Sequence, residues 1–493
     1  MDTRSGSVVG FLKDKSILIT GSTGFLAKVF VEKVLRVQPE VKKLFLLVRA
    51  TDAKSAAQRL HSEVTGKEVF RILREQHEKG FESFVSEKVS PVAGDIAREN
   101  LGIDDSDLRD LLWREVDVVV NVAATTNFYE RYDVALTINA LGVKHVLDFA
   151  KKCEKLQLFL HVSTAYVAGT REGLLSEEGF HMGETLNGVT GLDIDAEVKL
   201  VEQSLKELRS EESAEKGEKV AMKELGIKRA RFFGWPNTYV FTKALGEMLI
   251  GQSRGDVPVV IVRPTIITST YKEPFPGWME GTRTIDSLII GYAKGKLTCF
   301  LGDLTRPMDL IPGDMVVNAM IVAMAAHANQ RSEFIYHVSS SVSNPVTPAT
   351  FQDCGYRYFS QNPPVDKDGQ VMKTQNFYVF TTMASFRWYM TVRYWLPLQG
   401  LRLVNVALCG LLSQLYNELS RKHRFAMHLA DLYEPYAFFK GRFDDLNLVR
   451  LRASSTAGDD DDVKMFNCDP KTIDWEHYFM KVHFPGVFKY AFK

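Results

Sequence analysis

The strongest constraint on the chain lies near its start, in "ILITGSTGFLAKVFVEKVL" from Ile17 to Leu35. A β-branched apolar run stops at Gly21, Gly24 follows, then Ala27, and the residues beyond repeat with helical period. A strand that turns through glycine into a helix leaves backbone N–H groups unpaired and aimed outward, with the positive end of the helix dipole behind them. Gly21 permits the tight turn, Gly24 lets a pyrophosphate approach the backbone, and Ala27 lets the helix sit close to the strand. The backbone of Thr20, Gly21, Ser22, Thr23, Gly24, Phe25 and Leu26 is thus a candidate dinucleotide cradle.

The next 130 or so residues (roughly, on ordinary element lengths) repeat the same alternation. "SILIT" (16–20), "KLFLLVR" (43–49), "VSPVAGDI" (89–96), "DVVVNVAA" (117–124) and "LFLHVST" (158–164) read as buried strands. Leu26–Val37, a charged segment around Ala53–Gly80, and Asp133–Lys151 read as helices between them. That order predicts an α/β fold with a Rossmann-type, doubly wound parallel sheet. A charged stretch, Glu197–Gly226, reads as a solvated helix or mobile insertion, after which "TYVFTKALGEMLI" (238–250) predicts a helix and "VPVVIVRPT" (257–265) a strand. Residues 1–380 are expected to form a nucleotide-binding Rossmann-type domain with substrate-binding segments, and 381–493 a mainly helical C-terminal domain whose "GDDDD" (458–462) marks an exposed loop.

Lys+Arg and Asp+Glu balance at 61 each, so nothing in the overall charge points to nucleic acid or an acidic membrane. Cys153, Cys299, Cys354, Cys409 and Cys468 have no metal-like spacing, so no metal site is expected and buried free thiols fit best. No signal or transit peptide is read before Ile17. The single membrane-length apolar stretch, Trp395–Tyr416, contains Gln399, Arg402, Asn405 and Gln414 and reads as a buried or surface-lying helix.

The glycine spacing in "TGSTGFLA" resembles that of extended short-chain dehydrogenase/reductases, down to Thr20. The second strand ends in Arg49 with no acid before Asp52; a guanidinium there suits a 2′-phosphate, so NADPH is the expected cofactor. Asp95 is placed to reach adenine, and Asn121 and Ala123 form the tip of the fourth strand. Asn139 resembles the helix Asn that supports the active site in this superfamily. Pro264, Thr265 and Ile266 look like the loop that closes over nicotinamide.

Tyr239 and Lys243 lie four apart on a predicted helix, so phenol and ammonium share a face. A nearby cation would favour the phenolate and lower the Tyr239 pKa, making the phenol a usable proton donor to an alkoxide. Thr164 and then Ser163 are the candidate hydroxyls for the substrate carbonyl. His161 and Tyr166 read as packing residues.

"VSTAYVAG", "GWPNTYVFTKALGEML", "VRPTIITST", "EPFPGW", "LIPGDMVVNAMI" and "DPKTIDWEHYFMKVHFPGVFKY" look like a eukaryotic, plant-type alcohol-forming fatty acyl-CoA reductase, over nearly the whole chain. The resemblance implies reduction of long-chain fatty acyl-CoA to primary alcohol by two hydride transfers through an enzyme-held aldehyde. It also implies an acyl tunnel formed from apolar surface in 264–330 and the C-terminal domain. An acyl-CoA reductase that releases aldehyde, and a reductase of another hydrophobic carbonyl, remain open at this point; intact Tyr239, Lys243 and Thr164 argue against a non-catalytic nucleotide-binding scaffold. "FRWYMTVRYW" (386–395) has two functional readings, a hold on CoA phosphates or a peripheral contact with a membrane. The expected location is the cytosol or the cytosolic face of the endoplasmic reticulum.

Overall fold

A computed structural model describes residues 7–210, 215–282, 284–295, 297–365, 370–372, 377–455 and 460–492. Seven parallel strands form the central sheet: β1 (Ser16–Thr20), β2 (Lys43–Val48), β3 (Val89–Ala93), β4 (Val118–Asn121), β5 (Leu158–Val162), β6 (Val259–Pro264) and β7 (Glu333–Val338). Their spatial order is β7-β6-β5-β4-β1-β2-β3. The sheet is doubly wound: β2 and β3 extend it on one side of β1, and β4 to β7 on the other. β1 is buried at every position and β6 likewise, as a parallel sheet covered on both faces requires.

Several expected strands are shorter at their carboxyl ends, because 49, 94–96, 122–124 and 163–164 leave the sheet to form loops above it. The Ala53–Gly80 segment is not one helix: Ala53–Leu60 and Arg71–His77 are separated by a widened turn and a short 3₁₀ piece. Tyr132–Ala150 is helical throughout but widens by a π turn over Thr137–Leu141. Helix α1 (Phe25–Val37) follows the glycine turn, and α2 (Thr238–Ser253) carries the Tyr-Lys pair.

The charged stretch is two helices, Ile194–Ser210 and Glu215–Phe232, and it is not simply solvated. Glu197 is buried, takes a hydrogen bond from Tyr132 Oη at 2.7 Å and is paired with Arg229 Nε at 2.9 Å. Removing one partner of such a buried pair would strand the other, which is why this pair fixes the two helices to the reductase core.

The C-terminal residues pack back onto the first part of the chain through small two-stranded sheets and a shared core. Gly441–Phe443 pairs in parallel with Gly173–Leu175, and Tyr378–Phe380 with Cys299–Leu301. Trp475, Tyr478, Phe479 and Phe484 share one buried core with Ile17, Phe30 and Val316. Of the acidic run, Gly458 and Asp459 lie outside the described residues. The rest opens the helix Asp460–Met465, where buried Asp462 accepts from Val8 N at 2.6 Å, so this part is not an exposed loop. Cys153, Cys299, Cys354 and Cys468 are buried free thiols, whereas Cys409 is exposed. It lies in the turn between α3 (Leu396–Ala407) and α4 (Ser413–Ala437), which together replace the expected single helix at Trp395–Tyr416. Among the described residues, no helix is long and apolar enough to cross a membrane.

Candidate active site

Open α/β sheets bind ligands above the strand carboxyl ends, where neighbouring chains depart to opposite sides. Here that point lies between β1 and β4, and a cleft of about 930 Å³ opens above it. Gly21 has φ 66°, and a Cβ on it would sit 2.7 Å from Ala123 N, so the turn after β1 and the tip of β4 touch backbone to backbone. Gly24 caps α1 without any side-chain hydrogen bond, which leaves the first-turn amides of α1 to the cleft. Ala27 is fully buried beneath. A cradle only glycine can form, closed by uncapped amides, fits a dinucleotide pyrophosphate.

Gly21, Ser22, Thr23, Gly24, Phe25, Leu26, Arg49, Asp95, Ala123, Pro264, Thr265 and Ile266 all line this cleft. Three other expected contacts do not. Thr20 and Asn121 are buried behind the turn, where Thr20 Oγ1 donates to Asn121 Oδ1 at 2.6 Å and accepts from Ala123 N at 3.2 Å. Asn139 sits in the π turn: its amide donates to Thr125 O (3.0 Å) and Thr242 Oγ1 (3.1 Å), and its oxygen accepts from Thr125 N (3.0 Å). It ties a cleft loop to α2 and touches the cleft only through Thr125.

Ser163, Thr164, Tyr239 and Lys243 meet on one wall of the cleft. Asn237 caps α2, accepting from Val240 N at 3.1 Å, and so sets the direction in which Tyr239 and Lys243 project. Ser163 Oγ is buried and has no hydrogen-bond partner among the described residues, which leaves it available to a ligand oxygen. Lys243 does not act on Tyr239 as expected from the four-residue spacing. Its Nζ reaches Val162 O at 2.7 Å and His161 Nε2 at 3.2 Å, and His161 Nδ1 lies 3.1 Å from the Asn121 amide. Burial pushes the Lys243 ammonium down to about 8, opposed by the Glu247 carboxylate. Burial likewise pushes the Tyr239 phenol up to about 12, against a hydrogen bond with Thr164 that pulls it down. The phenol therefore keeps its proton at neutral pH. His161, buried and beside the Lys243 cation, is held well below the usual imidazole range and stays neutral.

Four features were not legible beforehand. Arg59 joins Arg49 at the cleft, held by Glu63 through Nε at 2.7 Å; its place in a charged segment ten residues after Arg49 was the available signal. Phe128 stacks on Tyr239 with ring centroids 5.8 Å apart. Tyr433 and Tyr436 arrive from α4, and Tyr436 Oη accepts from Asn237 Nδ2 at 2.6 Å. Tyr166, read as packing, lines the cleft and meets Tyr436 edge-on at 5.2 Å. Tyr166, Ile266, Tyr433 and Tyr436 also border a second, apolar cavity of about 180 Å³, lined by Ile285, Leu288, Phe300 and Phe351 among others.

Solved structures of similar fold include the terminal R domain of the myxalamid PKS-NRPS pathway, with TM-score 0.56 at 16% identity, covering 97% of this chain and 91% of that one. The R domain of a Mycobacterium tuberculosis non-ribosomal peptide synthetase also has TM-score 0.56, at 15% identity, with 99% and 95% covered. Residues 19–320 match an NAD-binding family model described as male sterility protein, and 393–493 match a second model of that description. The chain is 53% identical over 488 residues to "Alcohol-forming fatty acyl-CoA reductase" of Simmondsia chinensis, covering 99% of both. It is 51% identical over 487 residues to "Fatty acyl-CoA reductase 1" of Arabidopsis thaliana, covering 98% of this chain and 99% of that one. A glycine-cradled cleft with Tyr239, Lys243 and Thr164 on its wall, together with identity of this depth from end to end, places the chain in the family of plant alcohol-forming fatty acyl-CoA reductases.

Proposed function

We propose that the protein reduces long-chain fatty acyl-CoA to primary fatty alcohol with NADPH, in two steps and without releasing the aldehyde. The observation that carries this reading is the junction of the cleft with the apolar cavity at Tyr166, Ile266, Tyr433 and Tyr436. A thioester carbonyl can lie beside Thr164 and Tyr239 while its hydrocarbon chain lies among Ile285, Leu288 and Phe300. The cofactor turn and catalytic wall belong to residues 1–380, and 381–493 supply the aromatic roof.

NADPH, when bound, supplies a hydride to the carbonyl carbon in each reduction. Arg49 and Arg59 offer guanidinium groups to its 2′-phosphate, and Lys243 would hold ribose hydroxyls. In the first reduction the Thr164 and Tyr239 hydroxyls donate hydrogen bonds to the carbonyl oxygen as negative charge gathers there. The tetrahedral intermediate, the oxyanion of a thiohemiacetal, re-forms its C=O bond as the C–S bond breaks, and CoA leaves as thiolate, taking a proton from solvent. In the second, Tyr239 gives its proton to the alkoxide, completing the alcohol. The high Tyr239 pKa suits a donor to an alkoxide, whose own pKa is higher still. Phe128 stacks on Tyr239, Tyr433 and Tyr436 pack on Phe128 in turn, and this aromatic cluster keeps water from the aldehyde between steps.

The reading also puts the protein in the cytosol or at the cytosolic face of the endoplasmic reticulum. The deciding experiment incubates purified protein with NADPH and acyl-CoAs of graded length and separates alcohol from aldehyde. Alcohol without free aldehyde is expected; no NADPH oxidation with any acyl-CoA would overturn the proposal.

A further inference from the structure

Helices α3 and α4 form a hairpin that stands off the core. Among the described residues each has one buried side chain, Leu398 on α3 and Ala430 on α4. Of the described residues, half of the large apolar side chains that are exposed lie between Trp388 and Phe425. At the tip the exposure is extreme: Leu403 and Val406 are 71% exposed and Leu411 82%. Of the tip's polar groups, Asn405 and Ser413 turn inward, while exposed Arg402 and Gln414 have long side chains that can reach toward the headgroups. Asn405 accepts from Leu412 N at 2.7 Å and donates to Ser413 Oγ at 3.1 Å, while Cys409 and Gly410 take positive φ to make the reversal. A turn that satisfies its own backbone and presents its leucines outward is built for an apolar surrounding.

Charge identifies that surrounding. The chain as a whole is neutral, yet between Met383 and Phe425 six basic residues stand against one acid, Glu418. Arg421, Lys422 and Arg424 are exposed on α4, about 15 Å along the helix from Leu411 at the usual rise per residue. That is roughly the depth of hydrocarbon in one leaflet. Exposed Trp388 and Trp395 belong to the same outer region, where amphipathic rings settle at headgroup level. The segment Phe386–Trp395 does not line the cleft, so CoA phosphates leave it unexplained.

We propose that the α3–α4 hairpin inserts its tip into one leaflet of an anionic lipid bilayer, with Arg421, Lys422 and Arg424 at the phosphates. The protein is thereby monotopic. At its other end α4 supplies Tyr433 and Tyr436 to the cleft and the apolar cavity, so the anchor and the wall of the site are one helix. The inference is independent of the reaction proposed above.

The test uses the full chain and vesicles of phosphatidylcholine with or without about one-third phosphatidylserine. Combined Leu403→Glu, Val406→Glu and Leu411→Glu should weaken partitioning about a hundredfold or more. Combined Arg421→Gln, Lys422→Gln and Arg424→Gln should weaken it roughly a hundredfold on anionic vesicles only. NADPH affinity should hold in both variants. In the wild type, brominated lipids should quench tryptophan fluorescence, and Trp388→Phe with Trp395→Phe should remove that quenching. Undiminished partitioning of both variants, or no quenching in the wild type, would overturn the proposal. So would a lipid-free dimer that the three glutamates convert to monomer with vesicle binding unchanged, since the hairpin's partner would then be a second copy.

Discussion

Gly21→Ala tests whether the turn after β1 is a cradle set by backbone contact. At φ 66° an L-residue carries about 1–2 kcal/mol of strain. The new methyl would also lie 2.7 Å from Ala123 N, 2.8 Å from Ala123 Cα and 2.9 Å from Val122 C. All three are backbone atoms of the segment leaving β4, so no side chain can swing aside, and overpacking of this kind costs about 1–3 kcal/mol. The expected loss of stability is about 2–5 kcal/mol, read by urea unfolding. Relief requires the turn to move away from β4, which also misplaces the amides offered to the pyrophosphate. NADPH affinity should fall by at least about thirtyfold, the equivalent of ~2 kcal/mol, in a fluorescence titration. Gly24→Ala is the internal control for the unfolding measurement alone, because its φ is −81° and its methyl would meet only Gly21 O, at 3.0 Å, although that methyl would still stand where the pyrophosphate approaches. Equal nucleotide affinity and equal unfolding in wild type and Gly21→Ala would refute the reasoning.

Four further outcomes are expected. With Lys243 at about 8 and Tyr239 at about 12, turnover should fall as pH rises through about 8 while the phenol remains protonated. Because the folded protein binds the Lys243 proton less tightly than the unfolded chain, stability rises over the same interval up to the ordinary lysine value, so unfolding at that pH would contradict the assignment. Tyr239→Phe should reduce kcat by at least about a hundredfold with NADPH binding retained, measured by steady-state turnover and titration. Arg49→Asp should shift preference from NADPH toward NADH, and Arg49→Asp with Arg59→Ala further; an unchanged ratio of kcat/KM values would place the 2′-phosphate elsewhere. Asn139→Ala, which strands Thr125 N and O, should cost about 2–3 kcal/mol in urea unfolding and leave NADPH affinity within a few-fold of wild type.

The order of strands and the glycine turn were legible because their signals are local: a β-branched run, a turn, a period of 3.6. The same holds for Tyr239 and Lys243, whose spacing fixes a common helix face whatever surrounds them. What spacing could not say is which neighbour each would meet. Lys243 turns to the end of β5, where His161 and Val162 O compete for it, and that competition arises only once β5 lies against α2. Thr20, Asn121 and Asn139 were placed at the cleft by motif, but each satisfies its polar groups one layer deeper. Tyr433 and Tyr436 lay beyond reach for a different reason. They stand 194 and 197 positions after Tyr239, on a helix whose own pattern concerns the surface at its far end.

The bond between Tyr436 and Asn237 has a consequence for how the enzyme comes into being. Domains fold from the N-terminus during synthesis, and every strand of the sheet is complete by Val338. A nascent chain at that stage holds the nucleotide turn, Tyr239 and Lys243, yet Phe128 alone lies over Tyr239, without the tyrosines that pack on it, and the side-chain amide of Asn237, which caps the helix, lacks its Tyr436 partner. The reactive wall is sheltered only when α4 has been made and has docked. Synthesis itself thus imposes an order in which the cofactor can be held before any substrate can be enclosed, and a half-made protein is not a careless reductase.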